Sequence, residues 1–130
     1  MTAEGDLQSR IRLAVGRVPH ARLFRNVVAQ AWTGHLVTGP DHGVVTLARA
    51  QRIKAGLADG SADLIGWTTI VVTPEMVGQR LAVFVSGEVK TANGRVAAEQ
   101  ANWLHAVTEA GGRAAVLRSE DDALRLVRTL

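Results

Sequence analysis

The period of apolar and polar positions changes several times along the chain. From Glu4 to Val15, Leu7, Ile11 and Ala14 recur at helical spacing, and Gly16 and Pro19 close the run, so a first helix is expected there. Glu4 falls on the same stripe as those apolar positions. Leu23 to Trp32, rich in Val, Phe and Trp, predicts a strand, and Thr38-Gly39-Pro40-Asp41-His42-Gly43 reads as a turn into a short strand at Val44 to Leu47. Gly56 to Gly60 forms a loop into a strand from Ala62 to Val72, Pro74 to Gly78 a turn, and Leu81 to Lys90 a second strand.

The pattern then becomes helical again. Asn93-Gly94 makes a turn, and Val96 to Ala110 predicts an amphipathic helix with Val96, Trp103, Leu104 and Val107 inward and Gly111-Gly112 as its stop. Arg113 to Leu117 is a short strand, so residues 81–117 form a strand-helix-strand unit that should cross over into parallel pairing. Ser119, with Asp122 three residues on, begins a closing helix whose first turn carries Glu120 and Asp121. Helices and strands in this order predict an α/β chain with a mixed sheet flanked by helices.

Composition narrows the class. A chain of 130 residues with 47% apolar content can bury one core, so a single domain over residues 1–130 is expected. The absence of cysteine excludes a disulfide scaffold, a thiolate metal site and a cysteine nucleophile, and suits a reducing cytosol. No leader is apparent, and the longest apolar run, near residues 64–72, is interrupted by Gly66, Thr68 and Thr69 and is too short for a bilayer; a soluble protein is expected.

Net charge is only +3, but it is unevenly spread: between residues 10 and 54 stand eight basic side chains and one acid, Asp41. Such a bias favours a phosphate-rich partner, although basic faces also serve solubility.

The candidate chemistry lies at two peptides. On a strand, Glu88 and Lys90 share a face while Val89 projects to the other, into the core. Asp63 begins the preceding strand, and hairpin pairing with 81–90 would bring its carboxylate toward Glu88. Two carboxylates and the Val89 carbonyl are oxygen donors suited to a hard divalent cation, with Lys90 placed to orient a water or to stabilise charge on a phosphate. Gln100 lies on the apolar stripe of the long helix and so faces the sheet, where its amide needs partners. Glu4 is a similar anomaly on the first helix.

Each residue alone has a plainer reading. Glu-x-Lys on a strand is the spacing of a surface ion pair, Asp63 follows a turn-like Gly-Ser, Gln100 could satisfy a backbone carbonyl, and Glu4 could be a solvated helix-start acid. His20, His35, His42 and His105 lack metal-ligand spacing. Trp32, Trp67 and Trp103 read as core or interface anchors rather than stacking platforms, and Gly56 to Gly66 lacks the ending of a phosphate loop.

In order, these residues resemble the VRR-NUC family, a branch of the PD-(D/E)XK nuclease superfamily. Gly56-Leu57 with Gly60-Ser61-Ala62-Asp63-Leu64-Ile65-Gly66 resembles its first acidic motif, and Glu88-Val89-Lys90-Thr91, Gly94-Arg95 and Glu99-Gln100 resemble its Glu-x-Lys motif and Gln-bearing helix. Gly111-Gly112 and Val116 to Ala123 are similar to its closing strand and helix, and Leu23-Phe24-Arg25-Asn26 to an early strand of phage and bacterial members. Gly87 departs from the hydrophobic residue often found before Glu-Val-Lys and could loosen the strand.

The resemblance implies a restriction-endonuclease-like fold with a central mixed sheet, in a stand-alone VRR-NUC domain of phage or bacterial type. It implies Mg2+ or Mn2+ held by Asp63, Glu88, the Val89 carbonyl and Glu4 (with Asp6 a rival for that last place), Lys90 as catalytic lysine and Gln100 in support. The implied activity is metal-dependent endonucleolytic cleavage of branched or flap-like DNA, as in repair and recombination, by a cytoplasmic homodimer. Arg22, Arg25, Arg49, Arg52, Lys54 and Arg95 are the expected DNA contacts. The alternatives are a catalytically weak nucleic-acid-binding module on the same fold and an enzyme acting on RNA.

Overall fold

A computed structural model describes residues 2–128. The chain forms two compact units interleaved in sequence: residues 1–12 with 23–65, and residues 13–22 with 66–130.

Helix α1 (Ala3–Gly16) begins where Thr2 caps it, its Oγ1 accepting the N–H of Gly5 at 3.0 Å. The expected stripe is not a buried one. Leu7 and Ile11 are exposed, and the less exposed positions are Gly5, Gln8 and Val15.

The apolar run after α1 is two strands rather than one, because Asn26 interrupts it: β1 (Ala21–Arg25) pairs with β4 (Leu64–Thr68), and β2 (Ala29–Asp41) pairs antiparallel with β3 (Val44–Ala55). The β2–β3 hairpin runs well past the short strand expected at 44–47. Its register slips between Thr33 and His35, opposite a bulge at which Arg49 adopts φ +51°.

In the second unit, a short 3-10 turn at Pro74–Met76 precedes β5 (Val85–Val89), which pairs in parallel with β6 (Arg113–Leu117) through α2 (Ala98–Glu109). The parallel crossover matches the sequence expectation. Strands 62–72 and 81–90 do not form the expected hairpin: β5 takes β6 as its partner and β4 takes β1. Two strands joined through a helix gain buried apolar area on the helix stripe that a bare hairpin lacks. The described strands thus form three two-stranded ladders, of which β5–β6 packs against α2 and α3.

Val107 on α2 is the most enclosed side chain, 1% exposed, and α2 rests on β5 and β6. Trp67, Phe84 and Trp103 add a cluster with ring centroids 5.1–6.5 Å apart. Of the three tryptophans expected to be core or interface anchors, Trp32 on β2 is 58% exposed and so is not a core residue. Helix α3 (Glu120–Leu126) opens where Ser119 Oγ accepts the N–H of Asp122 at 3.1 Å, the cap its sequence predicts. No helix among the described residues is long and apolar enough to cross a membrane.

Candidate active site

In the second unit, strand alternation places Ser86 and Glu88 on the face of β5 covered by α2. Val89 is on the open face and 76% exposed, so the expectation that it points into the core is corrected. By sequence the Val85, Gly87 and Val89 face is the more apolar one, yet it is the Ser86 and Glu88 face that the helix covers. The choice is made by α2, whose polar groups meet Ser86 and Glu88.

Two hydrogen bonds fix that meeting. Gln100 Nε2 donates to Glu88 Oε1 at 2.6 Å, and Trp103 Nε1 donates to Ser86 Oγ at 2.7 Å. Three residues along a helix advance about 4.5 Å and two along a strand about 6.6 Å, so side chains of moderate length bridge both steps. Gln100 also accepts the N–H of Ala97 at Oε1, 2.9 Å away, which satisfies an otherwise unpaired donor of the first helical turn. Its amide is therefore held at both ends.

Lys90 Nζ lies 3.4 Å from Glu88 Oε1, with the two side chains 21% and 29% exposed. Oε1 thus takes a hydrogen bond from the amide and an ion pair from the ammonium, while Oε2 has no partner among the described residues. Lys90 is set by its own N–H, which donates to Leu117 O at 3.0 Å. The loop beyond it is clamped by Arg118, whose guanidinium donates to the carbonyls of Thr91, Ala92 and Gly94.

Gly87 does not loosen the strand. A Cβ there would run into the Leu117 side chain and come within 3.8 Å of Leu126, so the glycine lets those leucines close over β5.

Asp63 sits in the first unit, at the end of a loop organised by Asn26. Asn26 is 8% exposed, and it donates from Nδ2 to Ser61 Oγ and Ala62 O, both at 2.8 Å, while its Oδ1 accepts the N–H of Leu57 at 3.0 Å. Its own N–H donates to Asp63 O at 2.8 Å. Gly56 completes the loop at φ +80°, where a Cβ would collide with the backbone of Val27. The Asp63 side chain is exposed and makes no hydrogen bond or ion pair among the described residues.

The other expected site residues stand as follows. Glu4 is exposed in the first turn of α1, as is Asp6. Arg22 is turned onto its own backbone, donating to Ala21 O at 2.7 Å. Lys54 pairs with Asp59. Arg25, Arg49, Arg52 and Arg95 are exposed. Among the described residues, no three His, Asp or Glu side chains are gathered as a metal-binding group. The donor chemistry of Glu88 nonetheless fits a hard divalent cation: a carboxylate held through one oxygen by an amide hydrogen bond and an ion pair, with the other oxygen uncommitted among the described residues.

Sequence reasoning did not single out Asn26, Ser86 or Arg118. An Asn interrupting a strand-like run is a signal for the first, since Asn favours turns and loop bonds. Nothing local marks the other two, whose partners lie 17 to 27 residues away.

The family model of the VRR-NUC domain matches residues 39–121. The match spans Asp63, Glu88, Lys90, Gln100 and Arg118, and leaves Glu4 and Asn26 outside. Among curated proteins and solved structures, none matches the chain.

Proposed function

The chain belongs to the VRR-NUC domain family, a family of nuclease domains, and from that premise we propose that it is a divalent-metal-dependent endonuclease acting on branched or flap-like DNA. The observation that carries this reading is the Gln100–Glu88–Lys90 arrangement, a carboxylate and an ammonium held together on one strand face by a helix-borne amide.

In this reading Asp63, Glu88 and the Val89 carbonyl hold Mg2+ or Mn2+, with Glu4 as a further ligand. The cation supplies Lewis acidity toward the phosphoryl group and acidifies water. Glu88 Oε1 takes the Gln100 hydrogen bond and the Lys90 ion pair, which leaves Oε2 for the cation. Lys90 offers the remaining N–H groups of its ammonium to a phosphate oxygen, where negative charge builds as the P–O bond breaks. Gln100 restricts the Glu88 rotamer.

The exposed cations Arg25, Arg49, Arg52 and Arg95, with Arg22 and Lys54 released from their present partners, contact DNA phosphates. A homodimer is part of the proposal. Leu36, Val37 and Val44 at the far end of the β2–β3 hairpin are 60–64% exposed, an apolar tip suited to a second copy. We further propose a restriction-endonuclease-like PD-(D/E)XK fold in one domain, and a cytoplasmic, phage or bacterial setting.

The test is cleavage of branched, flap and linear DNA by purified protein with Mg2+ or Mn2+. Cleavage of branched substrates that disappears in Lys90→Ala and Asp63→Asn is expected. Activity surviving either substitution overturns the assignment, and calorimetry showing no divalent-cation binding favours a binding module instead.

A further inference from the structure

The β2–β3 hairpin carries a second arrangement, apart from the acidic residues. In its register Trp32 stands opposite Arg52, and Gln30 opposite Lys54. Directly opposed residues project to the same side of an antiparallel ladder, and so do residues two apart along a strand. Gln30, Trp32, Arg52 and Lys54 therefore share one face, while Ala31 and Ile53 occupy the other.

Trp32 is 58% exposed, and its indole makes no hydrogen bond or ring contact with the described residues. An indole this open, flanked by a guanidinium, an ammonium and an amide, is not a core anchor. Among the described residues Arg52 has no acidic partner, and Lys54 has the exposed pair with Asp59, the weak kind of ion pair. Next to Trp32 along the hairpin, though not lined by it, lies an open cavity of about 540 Å³ formed by Gln30, Arg52, Lys54 and Asp59 with Val28, Ala29 and Ile53, within the size range of small-ligand sites.

We propose that this face binds an unpaired DNA nucleotide, its base stacked on Trp32 and its phosphate held by Arg52 and Lys54. The charge of the face selects a polyanion over a second copy of this basic chain. A flat aromatic ring next to paired cations is the combination that recognises single strands, because every base has a π-face and every nucleotide a phosphate. A duplex keeps its bases stacked on each other and offers only phosphates. Asp59 competes with the phosphate for Lys54 and so limits affinity. The inference rests on the DNA-nuclease reading for its choice of nucleic acid, and on the hairpin alone for its geometry.

The experiment measures binding of the full chain to a short oligothymidine and to a duplex by fluorescence anisotropy, without divalent metal, so that cleavage plays no part. Trp32→Ala is expected to weaken single-strand binding by about tenfold or more while leaving duplex binding within about twofold. Trp32→Phe, which keeps a ring, should retain most of the affinity and controls for folding. Arg52→Gln should weaken both ligands and lower the salt slope by about one. Asp59→Asn should tighten binding by up to about fivefold.

Equal effects of Trp32→Ala on both ligands, or none on the oligothymidine, overturn the proposal. So does a Trp32→Ala protein that changes its oligomeric state in sedimentation while binding DNA normally, which would give the face to a second copy. A wild-type protein that binds oligothymidine through Trp32 but cuts no DNA sinks the nuclease reading and leaves this site standing.

Discussion

Gln100 on α2 donates to Glu88 on β5 at 2.6 Å while its amide oxygen accepts the N–H of Ala97 at 2.9 Å. One side chain thereby caps a helix and orients a carboxylate. Replacing it by Leu leaves the Ala97 N–H unpaired and Glu88 with Lys90 alone, at a cost of about 1 kcal/mol to the helix start. Gln100→Glu keeps the acceptor for Ala97 but sets a second carboxylate against Glu88. Cleavage is expected to fall about tenfold or more in both, and thermal stability to fall more in Gln100→Leu. Unchanged cleavage in Gln100→Glu would remove the orienting role.

Asn26 ties Leu57, Ser61, Ala62 and Asp63 into one loop from a buried position. Asn26→Ala strands the Leu57 N–H and the Ala62 carbonyl, and about 1–3 kcal/mol of stability should be lost. The expected signature is faster amide exchange across residues 57–63 together with reduced cleavage. Exchange confined to distant segments contradicts the assignment of Asn26 as the loop's anchor.

Arg49 holds a left-handed backbone at φ +51° inside the hairpin. For a residue with a Cβ this costs about 1 kcal/mol, a cost glycine does not share. Arg49→Gly is therefore expected to raise the melting temperature while lowering the salt slope of DNA binding by about one. A higher melting temperature with an unaltered slope would show that the cation does not touch phosphate.

Asp122 accepts the backbone N–H of Arg118 at 2.8 Å and pairs with Arg125, and these donors, the backbone bond foremost, hold its carboxyl below the usual range. A lowered folded value means that the unfolded chain takes up the proton first. The stabilisation is complete above about pH 4, the ordinary aspartate value, and is lost as pH falls through the folded value. Amide protection at the start of α3 should stay level from neutral pH to that point and decline below it, and Asp122→Asn should flatten the decline. An acid transition unmoved by Asp122→Asn counts against this account.

Local periodicity made several elements legible: the strand-helix-strand order of β5, α2 and β6, the Ser119 cap, and the placing of Glu88 and Lys90 on one face with Gln100 turned toward them. Each depends on residues within a few positions of one another, where the repeat of a strand or a helix is already visible. The boundaries of β2 and β3 were not legible, because a bulge and a single buried Asn reset the pattern.

The sequence by itself determined the order of acid, acid, lysine and glutamine and the family to which that order belongs, since these are properties of residue type and spacing. Only the tertiary structure decided that the covered face of β5 carries Glu88 and leaves Val89 in solvent, that β4 takes β1 rather than β5 as its partner, and that Trp32 stands open on the hairpin opposite Arg52. Those outcomes follow from pairings between segments distant along the chain, where burial of the α2 stripe and satisfaction of polar groups outweigh any preference written in a single strand.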